Sequence, residues 1–171
     1  SVFLRLPAVY EITEENEDRM RAYRKAVKAS YDELLSKSKD EQRAIARQII
    51  EQHDELRAQH KFESRDNWRE MRELPYARLM FGYSNFWAII DARDSAQAIE
   101  KGLLADYQGS HPLWVNDSHN SAGVPTEILV DLFYPEVPLT RPLEGTETLV
   151  SIDKARALLD FEPEHSMSRY F

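Results

Sequence analysis

Histidine and cysteine are the side chains that most often mark a metal site or a nucleophile, and this chain uses them sparingly. It has five histidines and no cysteine, which excludes disulfides and thiolate metal sites. His53 and His60 would lie two turns and about 10 Å apart on one helix, too far to share a metal without other ligands. His111 and His119 flank a segment that contains Asp117, and we expect a structural role for them. We therefore predict no metal site.

Two motifs that would indicate a complete enzyme are missing. No G-x-S-x-G segment occurs, so a serine nucleophile on a strand-to-helix turn is not predicted. No GxGxxG or GxxGxxG segment occurs either, so the turn that binds the phosphates of a dinucleotide is not encoded here.

Composition and charge exclude several classes of protein. With 171 residues, 42% hydrophobic and 30% charged, the chain can form one domain with a substantial core and is not a disordered segment. The net charge of −8 disfavours nucleic acid as a partner, because phosphate binding requires clustered Lys and Arg. No apolar run approaches the roughly 20 residues that span a bilayer, and no signal peptide is recognisable. We therefore expect a cytoplasmic protein without a membrane partner.

The first part of the chain predicts one strand followed by helices. Residues 2–9 are mostly apolar and predict a buried strand of a parallel sheet, interrupted at Pro7. Because the chain begins inside this apolar run, we expect further residues upstream, with simple trimming as the alternative. Thr13 is predicted to cap a helix that begins at Glu14. Its apolar face comprises Met20, Tyr23, Val27, Tyr31 and Leu34.

Two more helices are predicted before the next strand. Ser38 and Glu41 form a capping box for a helix to about His60, with Ile45, Ile49 and Leu56 on its apolar side. Ser64 is predicted to cap a short third helix that stops before Pro75.

The second part of the chain alternates strands and helices. Residues 85–90 predict a short strand, and Asp94 is predicted to cap a helix that runs to about Ala105. Residues 112–116 predict another strand, and Pro125 favours a helix that ends at Phe133. A last helix is predicted to start at Ser151 or Asp153 and to end near Leu159. The sequence therefore predicts an α/β or α+β fold that is rich in helix and has few strands.

Four segments, in order, resemble the extended short-chain dehydrogenases/reductases of the NAD-dependent epimerase/dehydratase family. Residues 4–10 (LRLPAVY) resemble the family's LRxxxVYG strand, and residues 89–98 (IIDARDSAQA) are similar to its YIDARDxAxA segment. Residues 134–139 (YPEVPL) resemble a yPxvPl turn of one branch. Residues 151–163 (SIDKARALLDFEP) resemble the D-x-x-KARxLLGWxP ending, with Asp160 where the family has a glycine that closes the helix in a left-handed conformation.

The resemblance implies a particular division of the chain. Residues 1–12 would supply a strand of the Rossmann sheet, residues 13–84 a helical insertion or cap, and residues 85–171 a substrate-side C-terminal lobe. The family uses NAD or NADP and a Tyr-x-x-x-Lys pair, in which the lysine lowers the pKa of the tyrosine. No tyrosine here is followed by Lys four positions later. The chain alone is therefore predicted to have no catalytic residue and no complete dinucleotide-binding half.

The same resemblance suggests binding residues. Pro7, Ala8, Val9 and Tyr10 would border the nicotinamide, and a plain core role is the alternative for them. Arg141 resembles an arginine that pairs with a substrate phosphate, with a solvated loop position as the alternative. Trp87 stands where a second phosphate-binding arginine often occurs, so a sugar acid or another carbonyl compound is as plausible a substrate as a nucleotide sugar. Arg93 could contact substrate or tie neighbouring loops together.

Two functions remain open at this stage. One is the substrate-binding portion of an NAD(P)-dependent sugar or sugar-nucleotide epimerase/dehydratase-like oxidoreductase that acts on a small polyhydroxylated molecule. The other is a non-catalytic protein-interaction module derived from that family. Because few short strands leave sheet edges unpaired, we expect the chain to form homo-oligomers or to associate with a missing N-terminal half.

Overall fold

The structure is a computed structural model that describes residues 2–5, 8–10, 12–63 and 65–170, and at 2–5, 8–9, 63, 65–66 and 68–69 it describes the backbone alone. This part of the chain is mostly helical, with seven α-helices and four short strands. The helices are α1 (Glu17–Leu35), α2 (Lys39–Ala58), α3 (Arg65–Arg72), α4 (Ala77–Tyr83), α5 (Ala92–Leu104), α6 (Thr126–Phe133) and α7 (Asp153–Leu159). The strands are β1 (Val2–Arg5), β2 (Ala8–Tyr10), β3 (Ile89–Asp91) and β4 (His111–Trp114).

The predicted N-terminal strand is present as two short strands that pair with different partners. Strand β1 runs parallel to β4, with Leu4 opposite Leu113. Strand β2 runs parallel to β3, with Tyr10 opposite Asp91. Parallel neighbours require a long crossover connection, and helices α1 to α4 lie within the connection from β2 to β3. The start of the chain is thereby joined to its second half.

Helices α5 and α7 cover one face of β4. The buried side chain of Leu113 packs with Ala98 of α5 and Ala155 of α7. Because successive strand residues point to opposite faces, the next side chain, Trp114, lies on the other face and is 42% exposed.

The predicted hairpin of two long helices is present, and the capping box at the start of α2 is confirmed. The backbone N–H of Glu41 donates to Ser38 Oγ, and the backbone N–H of Ser38 donates to Glu41 Oε2 at 3.0 Å. The predicted start of the first helix is wrong. Helix α1 begins at Glu17, and the backbone N–H of Thr13 donates to Asn16 Oδ1 at 3.0 Å in the turn before it.

The buried face of α1 differs from the predicted apolar face by one position. Val27, Tyr31 and Leu34 are buried as predicted, but Tyr23 is 44% exposed and Arg24 is buried in its place. The guanidinium Nη2 of Arg24 donates to the backbone carbonyl of Ser121, which offsets part of the cost of burying this side chain.

A single hydrophobic cluster joins the predicted helical insertion to the predicted C-terminal lobe. Tyr31 of α1 and Ile49 of α2 pack in it with Leu79 of α4 and Leu129 of α6. Helix α4, which the sequence did not predict, supplies the middle of this cluster. The predicted division at residues 84 and 85 therefore does not separate two cores.

The segment predicted as a strand at residues 85–90 is mostly a turn. Strand β3 begins only at Ile89, because Phe86 and Trp87 have left-handed backbones with φ of 56° and 54°. The backbone N–H of Trp87 donates to the carbonyl of Gly82 at 2.8 Å, which folds the turn back onto α4. The strand predicted at residues 112–116 begins one residue earlier, at His111, and ends two residues earlier, at Trp114.

The helix ends in the second half follow the prediction more closely. Helix α6 follows Pro125 and ends at Phe133, and α7 runs from Asp153 to Leu159. Asp160 closes α7 with φ of 53°, the left-handed conformation for which the family's glycine is suited. Ser64, the predicted cap of the third helix, lies outside the described residues.

Candidate functional site

The last residues of β2 and β3 lie opposite each other at one end of this strand pair. They are Tyr10 and Asp91. In parallel sheets ligands bind outside the carboxyl ends of the strands. The end of the strand pair at Tyr10 and Asp91 is therefore a candidate ligand site.

Asp91, not Asp94, caps helix α5. Its buried carboxylate accepts the backbone N–H of Arg93 at 2.9 Å. The guanidinium of Arg93 makes a second, two-pronged contact, with Nε to Oδ1 at 2.8 Å and Nη2 to Oδ2 at 2.9 Å. Burial opposes ionisation of Asp91, but these hydrogen bonds outweigh it and hold the pKa of the carboxyl below its usual value. The same side-chain hydrogen bonds raise the pKa of Arg93, so this ion pair orients a permanent positive charge.

An open cleft of about 340 Å³ lies beside this ion pair. It is bounded by the residues after β2, the first turns of α1, the start of α5 and the C-terminal turn. Its lining comprises Ile12, Thr13, Glu14, Glu17, Arg21, Arg93, Arg169 and Tyr170.

Three arginines give this cleft its chemical character. The guanidinium carbons of Arg21 and Arg169 lie 5.2 Å and 5.0 Å from the centre of the Tyr170 ring. Arg21 Nη2 also contacts Glu17 Oε1 at 2.9 Å. Planar guanidinium groups present paired donors that match carboxylate and phosphate oxygens. The cleft, which we call the arginine cleft, is therefore suited to an anionic ligand, with Glu17 and Glu14 available for ligand hydroxyls.

The buried carboxylate of Asp94 anchors the C-terminal segment that forms one wall of the cleft. It accepts the backbone N–H of Glu164 at 3.1 Å and the backbone N–H of His165 at 3.0 Å. The Nδ1 of His165 lies 2.7 Å from the same carboxylate. The predicted role of Asp94 as a helix cap is therefore wrong, and its contacts are with residues about seventy positions later.

A second buried carboxylate, Asp117, holds the next part of the same segment. Its oxygens accept the hydroxyl of Ser166 at 2.9 Å and the backbone N–H of Met167 at 2.8 Å. The backbone N–H of His119 also donates to it at 3.0 Å. The two aspartates together position the turn at Met167–Tyr170, and with it the side chains of Arg169 and Tyr170.

Tyr10 connects the predicted cofactor edge to this anchored segment. Its hydroxyl donates to the backbone carbonyl of His165 at 3.0 Å. Burial, followed by the negative charges of Asp117, Asp91 and Asp94, raises the pKa of Tyr10 well above its usual value. The hydroxyl therefore stays protonated and serves as an internal hydrogen-bond donor.

The other predicted site residues are not brought to the cleft. Trp87 is fully buried, and its Nε1 donates to the hydroxyl of Tyr31 in the core. Arg141 lies on an exposed loop, where its guanidinium donates to the carboxylate of Glu147 at 2.9 Å and 2.8 Å. These hydrogen bonds raise the pKa of Arg141. Among the described residues that line the arginine cleft, only Arg93 was a predicted substrate residue.

Three of the predicted cofactor residues, Ala8, Val9 and Tyr10, form β2. Pro7 lies outside the described residues, and for Ala8 and Val9 only the strand backbone is described. Tyr10 is half-buried with its hydroxyl used internally. Contact of these residues with a nicotinamide stays a prediction.

Sequence reasoning missed Arg21, Arg169 and Tyr170. Arg21 pairs with Glu17 one turn earlier, a pattern typical of a solvated helix face. Arg169 and Tyr170 lie in a short C-terminal stretch without periodicity. No local signal indicates that these residues line one cleft with Arg93, because the position of the C-terminal turn depends on the long-range bonds of Asp94 and Asp117.

Within the part of the chain that the structure describes, no group of three or more His, Asp or Glu side chains could hold a metal ion. No described helix combines the length and apolar content that crossing a bilayer requires.

Comparisons with models of protein families, with curated proteins and with solved structures found no match.

Proposed function

We propose that this chain is the substrate-side portion of an NAD(P)-dependent epimerase/dehydratase-like oxidoreductase, and that the arginine cleft binds an anionic, polyhydroxylated substrate. One observation carries the proposal. The cleft lies where β2 and β3 end, and it is lined by Ile12 and Arg93, each two residues beyond its strand end. Parallel strands with helical crossovers place ligand sites at this edge in doubly wound folds.

The incomplete cover of the strands supports a larger parent fold. Parallel strands are normally covered by helices on both faces. Helices α5 and α7 cover the face of β4 that carries Leu113, whereas Trp114 on the opposite face is 42% exposed. A further layer of a doubly wound sheet, supplied by a segment outside this chain, would bury that face.

The guanidinium donors of the cleft favour ligand carboxylate or phosphate oxygens, and its carboxylates favour ligand hydroxyl groups. Arg93 and Arg169 offer donors for a carboxylate or phosphate, and Glu14 and Glu17 offer acceptors for sugar hydroxyls. This donor and acceptor set suits a sugar acid or a sugar phosphate. In this proposal the chain recognises the substrate and carries out no chemical step itself.

We assign the binding of the cofactor's phosphates to the parent protein's other half. The hydroxyl of Tyr10 is bonded to the carbonyl of His165, and no phosphate-binding glycine turn occurs in the sequence. The cofactor, the proton-shuttling tyrosine and its lysine would all belong to the parent protein's other half.

The first test is the mass of the native gene product, together with its affinity for NADH and NADPH measured by fluorescence titration. A product near twice the mass of this chain that binds either cofactor supports the proposal. A product with the mass of this chain and no cofactor affinity contradicts it.

The second test addresses the cleft in that native product. Calorimetric titration with glucuronate, glucose 6-phosphate and glucose should show binding of an anion and much weaker binding of glucose. The variant Arg93→Gln should weaken anion binding about tenfold, the equivalent of losing one charge-assisted hydrogen bond. Arg19→Gln, an exposed arginine outside the cleft lining, should leave it unchanged. Equal effects of the two variants would contradict the assignment of the cleft.

The alternative function is a protein-interaction module, and one observation favours it. Ile99 and Leu103 lie one turn apart on α5 and are 50% and 82% exposed, and Leu104 beside them is 77% exposed. Such apolar exposure is typical of a surface that a second protein covers. Light scattering of the parent chain and of the variant Leu103→Glu distinguishes the two functions. Self-association of the parent chain that the variant has lost would support an interface on α5.

A further inference from the structure

We propose that helix α5 pairs with α5 of a second copy of this chain, with the two helices antiparallel and related by a twofold axis. This inference rests on the exposed face of α5 that favours the alternative function, and it adds the identity of the partner and the register of the contact. It does not depend on the ligand of the arginine cleft.

One face of α5 is apolar and turned to solvent. The helix packs on the protein through its opposite face, where Asp94, Ser95 and Ala98 are buried. On the outer face, Ile99 is 50% exposed and Leu103 is 82% exposed. A second apolar surface would remove these side chains from water and thereby lower the free energy.

The apolar residues of this face have the spacing of a helix–helix seam. They follow one another at intervals of four, three and four positions: Ala92, Ala96, Ile99 and Leu103. These intervals are those of the a and d positions of a heptad repeat. The small residues lie in the first half of the seam and the large residues in the second half. This uneven distribution decides the direction of the partner.

An antiparallel partner fits because small residues then meet large ones. When the two helices overlap along nearly their whole length, Ala96 of each copy lies opposite Ile99 of the other. In the same register Ala92 lies opposite Leu103. Facing positions of unequal size fill the space between two helices. A parallel partner would instead place leucine against leucine and alanine against alanine, which leaves the alanine end loosely packed.

The charges beside the seam are complementary in this antiparallel register. Arg93 and Glu100 are exposed and lie one heptad apart, at the e positions that flank the seam. Antiparallel pairing places Arg93 of each copy beside Glu100 of the other, so the twofold axis produces two contacts of opposite charge. Asp91 accepts two of the five N–H groups of the Arg93 guanidinium, which leaves donors for the second copy. Charge complementarity therefore identifies the partner as a second copy.

The seam is short, so the dimer should be weak. Helix α5 has 13 residues and is about 20 Å long. A standard protein interface uses about 20–30 residues on each side, more than α5 offers. We therefore expect a dimer that forms at high protein concentration and dissociates on dilution.

Sedimentation equilibrium of this chain up to about 1 mM tests the pairing. The parent chain should show a monomer–dimer equilibrium. Glu100→Lys sets a lysine against Arg93 of the second copy and should weaken dimerisation at least about tenfold. The matched control Glu55→Lys makes the same change of charge on the exposed surface of α2 and should leave dimerisation unchanged. A parent chain that is monomeric throughout, or equal effects of the two variants, would overturn the proposal.

Cysteine cross-linking tests the direction of the helices. The chain has no cysteine, so each introduced cysteine reports on one position. A mixture of Ala96→Cys and Ile99→Cys should form the mixed disulfide faster than either variant forms a disulfide with itself, because these positions face each other in the antiparallel register. Faster pairing of Ala96→Cys with itself would overturn the proposed pairing. Loss of dimerisation in Leu103→Glu would in that case still support the alternative function.

Discussion

The indole Nε1 of Trp87 donates a hydrogen bond to the hydroxyl oxygen of Tyr31, a residue 56 positions earlier in the chain. Both side chains are fully or almost fully buried, at 0% and 1% exposure. The bond joins α1 to the turn before β3. It also explains why a tryptophan in a turn, with a left-handed backbone, is held in one position.

Replacement of Tyr31 by Phe should destabilise the protein by about 1–3 kcal/mol, because the indole N–H of Trp87 is then buried without its acceptor. Tyr23→Phe is the matched control. It removes a hydroxyl from a tyrosine of the same helix that is 44% exposed, and should change the free energy of unfolding by less than about 0.5 kcal/mol. Urea denaturation of the two variants measures the difference. Similar losses of unfolding free energy in Tyr31→Phe and Tyr23→Phe would contradict a stabilising role for the Trp87–Tyr31 hydrogen bond.

Gly82→Ala should be destabilising although alanine favours helices. A Cβ at this position would lie 2.5 Å from Trp87 Cδ1 and 2.6 Å from Trp87 Nε1, well inside contact distance. Overpacking of this kind typically costs about 1–3 kcal/mol.

A double-mutant cycle identifies the cause of that loss. If the loss arises from the indole, Gly82→Ala combined with Trp87→Leu should be less destabilising than the sum of the two single changes. Strict additivity, measured by thermal and urea unfolding, would show that Trp87 is not responsible.

Asp160→Gly should stabilise the protein by about 0.5–1 kcal/mol. Asp160 has φ of 53°, which glycine adopts without the steric cost of a Cβ. Asp160→Ala keeps the Cβ and should instead be neutral or destabilising. A higher melting temperature for the glycine variant alone supports the assignment of backbone strain, whereas equal gains for both would point to the lost carboxylate.

The Asp91–Arg93 ion pair should make stability depend on pH. Because hydrogen bonds from Arg93 outweigh burial and lower the pKa of Asp91 in the folded state, ionised Asp91 contributes stability above the ordinary carboxyl pKa of about 4. That contribution is lost as the pH falls through the lowered pKa. Urea midpoints of the parent chain and Asp91→Asn should differ most at neutral pH and converge in acid.

The exposed residue Asp106 provides the control for this titration. Asp106→Asn removes an exposed carboxylate and should leave the urea midpoint at neutral pH close to that of the parent chain. A constant difference between Asp91→Asn and the parent chain across the acid range would show that Asp91 does not titrate as inferred.

Local signals in the sequence were sufficient for several helix boundaries. The Ser38–Glu41 capping box, the start of α6 after Pro125 and the end of α7 at Leu159 all depend on neighbours within a few positions. Hydrogen bonds of this range are encoded in residue spacing. The start of α1 and the cap of α5 were predicted wrongly, because an acceptable capping side chain occurred at more than one nearby position.

The sequence by itself determined most of the helical stretches, although not α4, and where most of them end, and it excluded cysteine chemistry. Tertiary structure alone decided which polar residues are buried and which arginines meet. Arg24 is buried because the carbonyl of Ser121 accepts its hydrogen bond. Arg93 and Arg169 line one cleft because the carboxylates of Asp94 and Asp117 bind the C-terminal segment. These contacts join residues roughly fifty to a hundred positions apart, and helical periodicity carries no information at that separation.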